Sequence, residues 1–200
     1  DIHRTVQLDF VDLEGDPFPA QRVSAVEIRN SLGDVANFSG DEMVWLQAGK
    51  AYGRDYGLEL VDVVQTVQRV LVDGSNVVNR GQQRFVISSP MNPQVEVLLY
   101  PAKFSARDAF FGFKIGSGIS LEYPDGSRQV HPFEKDKTLQ LDSLARGTYR
   151  FRAVGAPGIA LETVFVLSRE QQVSSLVISI WDLILVMIFG LIIFPGILFA

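Results

Sequence analysis

The chain has 200 residues, no cysteine, two histidines and a formal net charge of −5. Its 18 Lys and Arg form no run or stripe, which argues against nucleic acid and against docking on anionic lipid by charge alone. The missing cysteine excludes disulfides, thiolate zinc sites, iron–sulfur clusters and Cys nucleophiles, and two histidines exclude a multi-His metal site within one chain.

The opening, DIHRTVQLDF, already reads as a strand. The expectation is that a leader has been removed or that the chain is part of a longer protein. Val6, Leu8 and Phe10 alternate with Thr5, Gln7, Asp9 and Val11, a period of two that predicts a half-buried strand. Asp12 to Pro17 breaks it. VSAVEIRN continues the habit through Val26 and Ile28, and MVWLQAG follows. Leu58 to Asp73 fits either an amphipathic helix or a long strand. Its many valines favour strand, and the slip in alternation at Val63-Val64 predicts a bend or bulge there. Asn79-Arg80-Gly81 reads as a loop. RFVISS and QVEVLLYPA read as further strands.

From Tyr100 to Gly118 the chain is rich in aromatics and glycine, and it reads as a junction between two modules. Phe104, Phe110, Phe111 and Phe113 are the candidate packing residues between them. Beyond it come ISLEYPDGS, KTLQLDSL, GTYRFRAV and ALETVFVLS. Tyr123-Pro124-Asp125-Gly126-Ser127 predicts a hairpin turn, because Pro presets φ and Gly supplies positive φ. Ala145 to Tyr149 predicts a tight turn into a late strand. The expected fold class is mainly β: one or two β-sandwich, immunoglobulin-like modules, followed by a single C-terminal transmembrane helix. The boundaries are 1–102 and 103–168 for the modules, 169–175 for a juxtamembrane linker and 176–200 for the helix.

In the second module, a strand, a Pro-Asp-Gly turn, and then Leu144, Gly147 and Tyr149 leading into a later strand resemble the prealbumin-like family of carboxypeptidase-regulatory-type domains. The resemblance covers about residues 119–167. It implies a small β-sandwich used as a spacer or adhesive module, and it implies no catalytic residue.

The tail is the strongest signal. From Leu183 to Ala200 no charge occurs over about eighteen residues, about 27 Å of helix, and Leu176 to Trp181 lengthen the run. This predicts a transmembrane helix; a cleaved C-terminal lipid-anchor signal is the alternative. No charge follows before Ala200, so the chain is expected to continue. Asp182 has two readings. It sits with Trp181 at the membrane–water boundary, or it lies inside the bilayer against a neighbouring helix. At 100° per residue, Ser175, Ser179, Asp182, Val186 and Gly190 share one stripe, the small and polar face that helix packing uses in lipid. Trp181 and Pro195 fall on the other side, and Pro195-Gly196 predicts a kink. Charges on the flanks do not fix orientation, although a β-rich head before a terminal helix suits an extracytoplasmic head.

No catalytic set is visible. His131 reads as a lone loop histidine. Gly116-Ser117-Gly118 lacks the strand-to-helix context of a nucleophile elbow. Asp9, Asp12, Glu14 and Asp16 could supply oxygens to calcium but read better as a solvated turn. Gly49-Lys50 lacks the Walker spacing. The expected role is a non-catalytic accessory subunit of a larger membrane complex. The alternative is a cell-surface receptor or adhesive module that binds a carbohydrate, peptide or protein. The expected partners are the bilayer and other transmembrane subunits. No cofactor, nucleic acid or small-molecule ligand is expected.

Overall fold

The structure, a computed structural model, describes residues 2–52, 59–81, 83–87 and 92–198, with the side chains of the C-terminal helix described through Ile192. The chain divides into two compact units, Asp1–Tyr100 and Pro101–Ala200, close to the expected boundary.

The first unit carries strands β1 (Ile2–Val6), β2 (Asp9–Val11), β3 (Pro17–Phe18), β4 (Val23–Asn30), β5 (Val35–Phe38), β6 (Val44–Ala48), β7 (Lys50–Tyr52), β8 (Leu60–Asp62), β9 (Val64–Val72), β10 (Ser75–Asn76), β11 (Arg84–Val86) and β12 (Gln94–Glu96). The alternation of the opening is real, since Val6, Leu8 and Phe10 are all buried. It nevertheless spans two strands. β1 pairs antiparallel with β6, whereas β2 pairs with β12 and β3. An unbroken period of two records only which face is buried, not which strand lies alongside. The largest sheet has the order β10-β9-β4-β5, and β11 also pairs with β9. The stretch from Leu58 is a bent strand. It breaks at the buried Val63, and the register of β4 against β9 shifts twice, as β-bulges do. Position 58 itself lies outside the described residues.

The second unit carries β13 (Leu99–Asp108), β14 (Gly118–Glu122), β15 (Arg128–Pro132), β16 (Thr138–Ala145), β17 (Gly147–Val154), β18 (Gly158–Ala160), β19 (Thr163–Leu167), β20 (Gln171–Ser179) and helix α1 (Ile180–Leu198). Two four-stranded sheets form, ordered β16-β13-β20-β18 and β15-β14-β17-β19. Side chains from both meet between them. Phe104 of β13 packs edge-on against Phe151 of β17 and Phe165 of β19, at ring centroid separations of 5.3 and 5.6 Å. This is the β-sandwich that the second module's pattern implies. The hairpin at Tyr123–Ser127 forms with Gly126 at φ +85°, and the Asp125 side chain accepts the Ser127 N–H. The turn at Ala145 to Tyr149 carries the chain from one sheet to the other. Tyr149, fully buried, donates its hydroxyl to the Ala145 carbonyl at 2.7 Å and fastens that crossing.

Three expectations are corrected here. The stretch read as a junction contains most of β13, one of the two central strands of its sheet. Ala102, Phe104, Ala106 and Asp108 alternate inward, a pattern the neighbouring aromatics and glycines obscure. The expected linker at 169–175 and the first residues of the expected helix form β20. There Ser175, Val177 and Ser179 point inward, and the strand pairs in parallel with β13 from Ala102↔Gln171 to Asp108↔Val177. Finally, Phe104 belongs to the second unit's own core. It packs inside that unit, where inter-module packing was expected of it, and Phe110, Phe111 and Phe113 are exposed on the loop after β13. Among the described residues, no helix is long and apolar enough to cross a membrane.

Candidate functional site

The two central strands β13 and β20 run parallel, so they end side by side at Asp108 and Ser179. The chain leaves β13 as an aromatic loop and leaves β20 as α1. A buried polar cluster lies at the two departures.

Asp108 is 1 % exposed and Asp182 0 %. The Asp108 Oδ1 accepts the Phe110 N–H at 3.1 Å and the Phe111 N–H at 2.7 Å. The Gly112 N–H reaches the Asp108 carbonyl at 3.1 Å, and the Asp108 N–H reaches the Phe113 carbonyl at 2.9 Å. Gly112 at φ +71° allows the loop to close this tightly. Across the cluster, Ser179 caps α1. Its Oγ accepts the Asp182 N–H at 3.3 Å, and the Asp182 Oδ2 accepts the Ser179 N–H at 2.9 Å. This reciprocal pair is a capping box, with Asp at the third helical position in place of Glu.

The Asp108 carboxyl lies beside Ser179 and Asp182. Burial pushes the Asp108 carboxyl up. The neighbouring Ser179, the Phe111 and Phe110 N–H groups and the neighbouring Asp182 outweigh that and hold it below the usual carboxylate range. The Asp108 Oδ2 and Asp182 Oδ1 are both buried, and among the described residues neither has a hydrogen-bond partner. The cluster therefore places two buried carboxyls where the loop and the helix leave the sandwich, one holding the loop and the other capping the helix.

The loop and helix present the opposite character outward. Phe110 is 62 % exposed, Phe111 56 %, Phe113 47 % and Trp181 64 %. Phe111 and Phe113 stack at 6.2 Å. Together with Trp181, Ile184, Leu185 and Ile188 they line an open groove of about 500 Å³. Beyond it Leu183, Val186, Met187, Phe189, Leu191 and Ile192 are also exposed, so every face of α1 is apolar.

The predicted polar stripe is therefore not one helical face. Ser175 and Ser179 are strand residues, and Ser175 donates its hydroxyl to the Leu161 carbonyl at 2.8 Å. Asp182 turns inward to its own unit, and only Val186 and Gly190 remain on the exposed helix surface. The signal for this was present. Ser179-Ile180-Trp181-Asp182 before an apolar run has the capping-box spacing. Extending helical geometry back to Ser175 concealed it. His131 lies in β15 rather than a loop. Its Nε2 is 3.2 Å from the Tyr123 hydroxyl, and burial lowers its pKa. In the acidic run, Asp12 Oδ1 accepts the N–H groups of Glu14 and Asp16, as a turn requires. Among the described residues, no three His, Cys, Asp or Glu side chains gather as metal ligands.

No protein-family model matches this chain, and no curated protein matches it in sequence. Among solved structures it is similar to the shaft pilin SpaA of Lactobacillus rhamnosus GG, with 14% identity, 90% of this chain and 99% of that one covered, and a TM-score of 0.36. It is also similar to a streptococcal ancillary pilin, with 12% identity, 88% and 62% covered, and a TM-score of 0.34. A protein of the DUF3823 family from Parabacteroides merdae shares 16% identity over 40% of this chain and 47% of its own, with a TM-score of 0.31. At TM-scores this low the likeness assigns neither fold nor function to this chain.

Proposed function

We propose that this chain is a non-catalytic, membrane-anchored β protein, an accessory subunit of a larger membrane complex, with its β-rich units extracytoplasmic and α1 in the bilayer. The observation that carries this reading is the apolar surface of α1. A helix that is apolar on all sides needs apolar surroundings everywhere. Among the described residues, the side chains from Ile180 to Ile192 are left exposed apart from Asp182 and Leu185, which are at least partly covered. That stretch covers about 20 Å, and the full helix of 19 residues about 28 Å, against a hydrocarbon core of about 30 Å. The membrane-complex reading needs partner subunits that meet Val186, Gly190 or their neighbours, not the buried Asp182.

The test is extraction from native membranes in mild detergent, followed by native electrophoresis and mass spectrometry of the band. Co-migration with larger subunits at fixed stoichiometry supports the accessory role. Release by salt or alkaline wash without detergent overturns the anchoring. Migration alone favours the second reading, a receptor or adhesive head. The exposure of Phe110, Phe111 and Phe113 gives that reading its one specific observation.

A further inference from the structure

We propose that Phe110, Phe111, Phe113 and Trp181 form a lipid-facing collar that seats the second unit at the headgroup boundary of the bilayer; this rests on the membrane reading of α1. The loop is built to enter such a layer. Its Phe110, Phe111 and Gly112 N–H groups and its Phe113 carbonyl are all bonded back to Asp108. It can therefore leave water without stranding these backbone groups, which is the condition an apolar medium imposes. What remains outward is three phenyl rings.

The occupant of the groove follows from continuity. One wall is Phe111 and Phe113, and the other is Trp181, Ile184, Leu185 and Ile188 of α1 itself. Whatever surrounds the first two turns of α1 must also touch the loop. Among the described residues of that lining, the Trp181 indole N–H is the only hydrogen-bonding side-chain group, so the lining offers few polar contacts to specify a protein partner. Rings with an apolar body and one polar edge concentrate where acyl chains meet headgroups. β13 and β20 pair in parallel up to Asp108↔Val177, so the loop and the start of α1 leave the sandwich at one level, and loop and Trp181 meet the boundary together.

The experiment places a single tryptophan in the full-length chain, reconstituted in phosphatidylcholine vesicles whose acyl chains carry bromine either near the headgroup or at mid-chain. Trp45 and Trp181 are the two native tryptophans. The Trp45→Phe variant reports on Trp181. The Trp45→Phe, Trp181→Phe, Phe111→Trp variant reports on the loop and keeps its aromatic character. The expected result is a loss of emission at position 111 equal to that at Trp181, and larger for shallow bromine than for deep. Quenching at 181 with none at 111 overturns the collar and leaves the membrane reading intact. Quenching at neither position overturns both. Protection at 111 that disappears as the chain is diluted in lipid shows a second copy in the groove, and also overturns the collar.

Discussion

Each unit buries a polar cluster, and the two are built from different chemistry. In the first, Asn30 of β4, Gln47 of β6 and Gln65 of β9 are buried. The Asn30 amide donates to Gln47 Oε1 at 3.3 Å and to Asp34 at 3.0 Å, and its oxygen accepts the Leu32 and Asp34 N–H groups. Gln65 donates to the Gln47 carbonyl at 2.8 Å. In the second, the Asp108 carboxyl holds the loop after β13 and the Asp182 carboxyl caps α1 with Ser179. Amides match donors to acceptors at any pH and fix strands against one another. The Asp108 carboxylate accepts its N–H groups fully only while it is ionised. The first cluster is a register device within a sheet region, and in the second a carboxylate holds a loop in a pH-dependent way beside a helix cap.

That contrast can be broken in graded ways. Asn30→Leu should have the largest effect. It strands two backbone N–H groups and the Gln47 amide oxygen, for a loss of about 3 kcal/mol, read as faster hydrogen exchange in β4 and β9 with the second unit unchanged. Asp182→Ala removes one half of the capping box and should cost about 1.5 kcal/mol, confined to exchange at the end of β20 and the first turn of α1. Equal exchange in variant and wild type there would show that the box contributes nothing.

The effect of pH comes next. The folded Asp108 carboxyl lies below its ordinary value, so it stabilises above the unfolded value, near pH 4, and that contribution disappears as pH falls through the folded one. Asp125 and Asp136 are also held low, mainly by hydrogen bonds from Ser127 and Thr138, so the wild type alone does not isolate Asp108. In the wild type, protection of the Phe110 and Phe111 amides should fall below about pH 4 after correction for intrinsic exchange. In Asp108→Asn the same amides should show no such step, and the Asn30 cluster should show none in either protein. Phe111→Ser should have the smallest effect, within about 0.5 kcal/mol, because an exposed ring holds nothing inside the sandwich. A larger loss in thermal unfolding would place that ring in the folded core's energetics after all.

Much of the β architecture is legible from alternation. Val6, Leu8, Phe10, Val26 and Ile28 face inward as their spacing predicts, and the bend at Val63 follows from one slipped residue. The turns at Tyr123–Ser127 and Ala145–Tyr149 were visible because Pro and Gly there have local reasons to be where they are, whereas the Tyr149 hydroxyl bond that fastens the second was not. The candidate site was not legible in the same way. Its two strands are separated by the whole of the second sheet in sequence, and a parallel pairing leaves no local signature. β20 was hidden for a further reason. Leu176, Val177 and Ile178 look like the beginning of the greasy run, although Ser175 and Ser179 two places either side of Val177 keep the period of a strand. Hydrophobicity alone cannot locate the point where period two becomes 3.6; the Ser-x-x-Asp spacing can.

The parallel contact of β13 and β20 also has a mechanical consequence. The first unit is joined to the beginning of β13, and α1 continues without a break from the end of β20. A pull between them draws the two strands in opposite directions along their length. The pairing from Ala102↔Gln171 to Asp108↔Val177 is then loaded in shear, all bonds together, rather than peeled one at a time. A tether arranged in this way resists extension until the whole ladder yields at once.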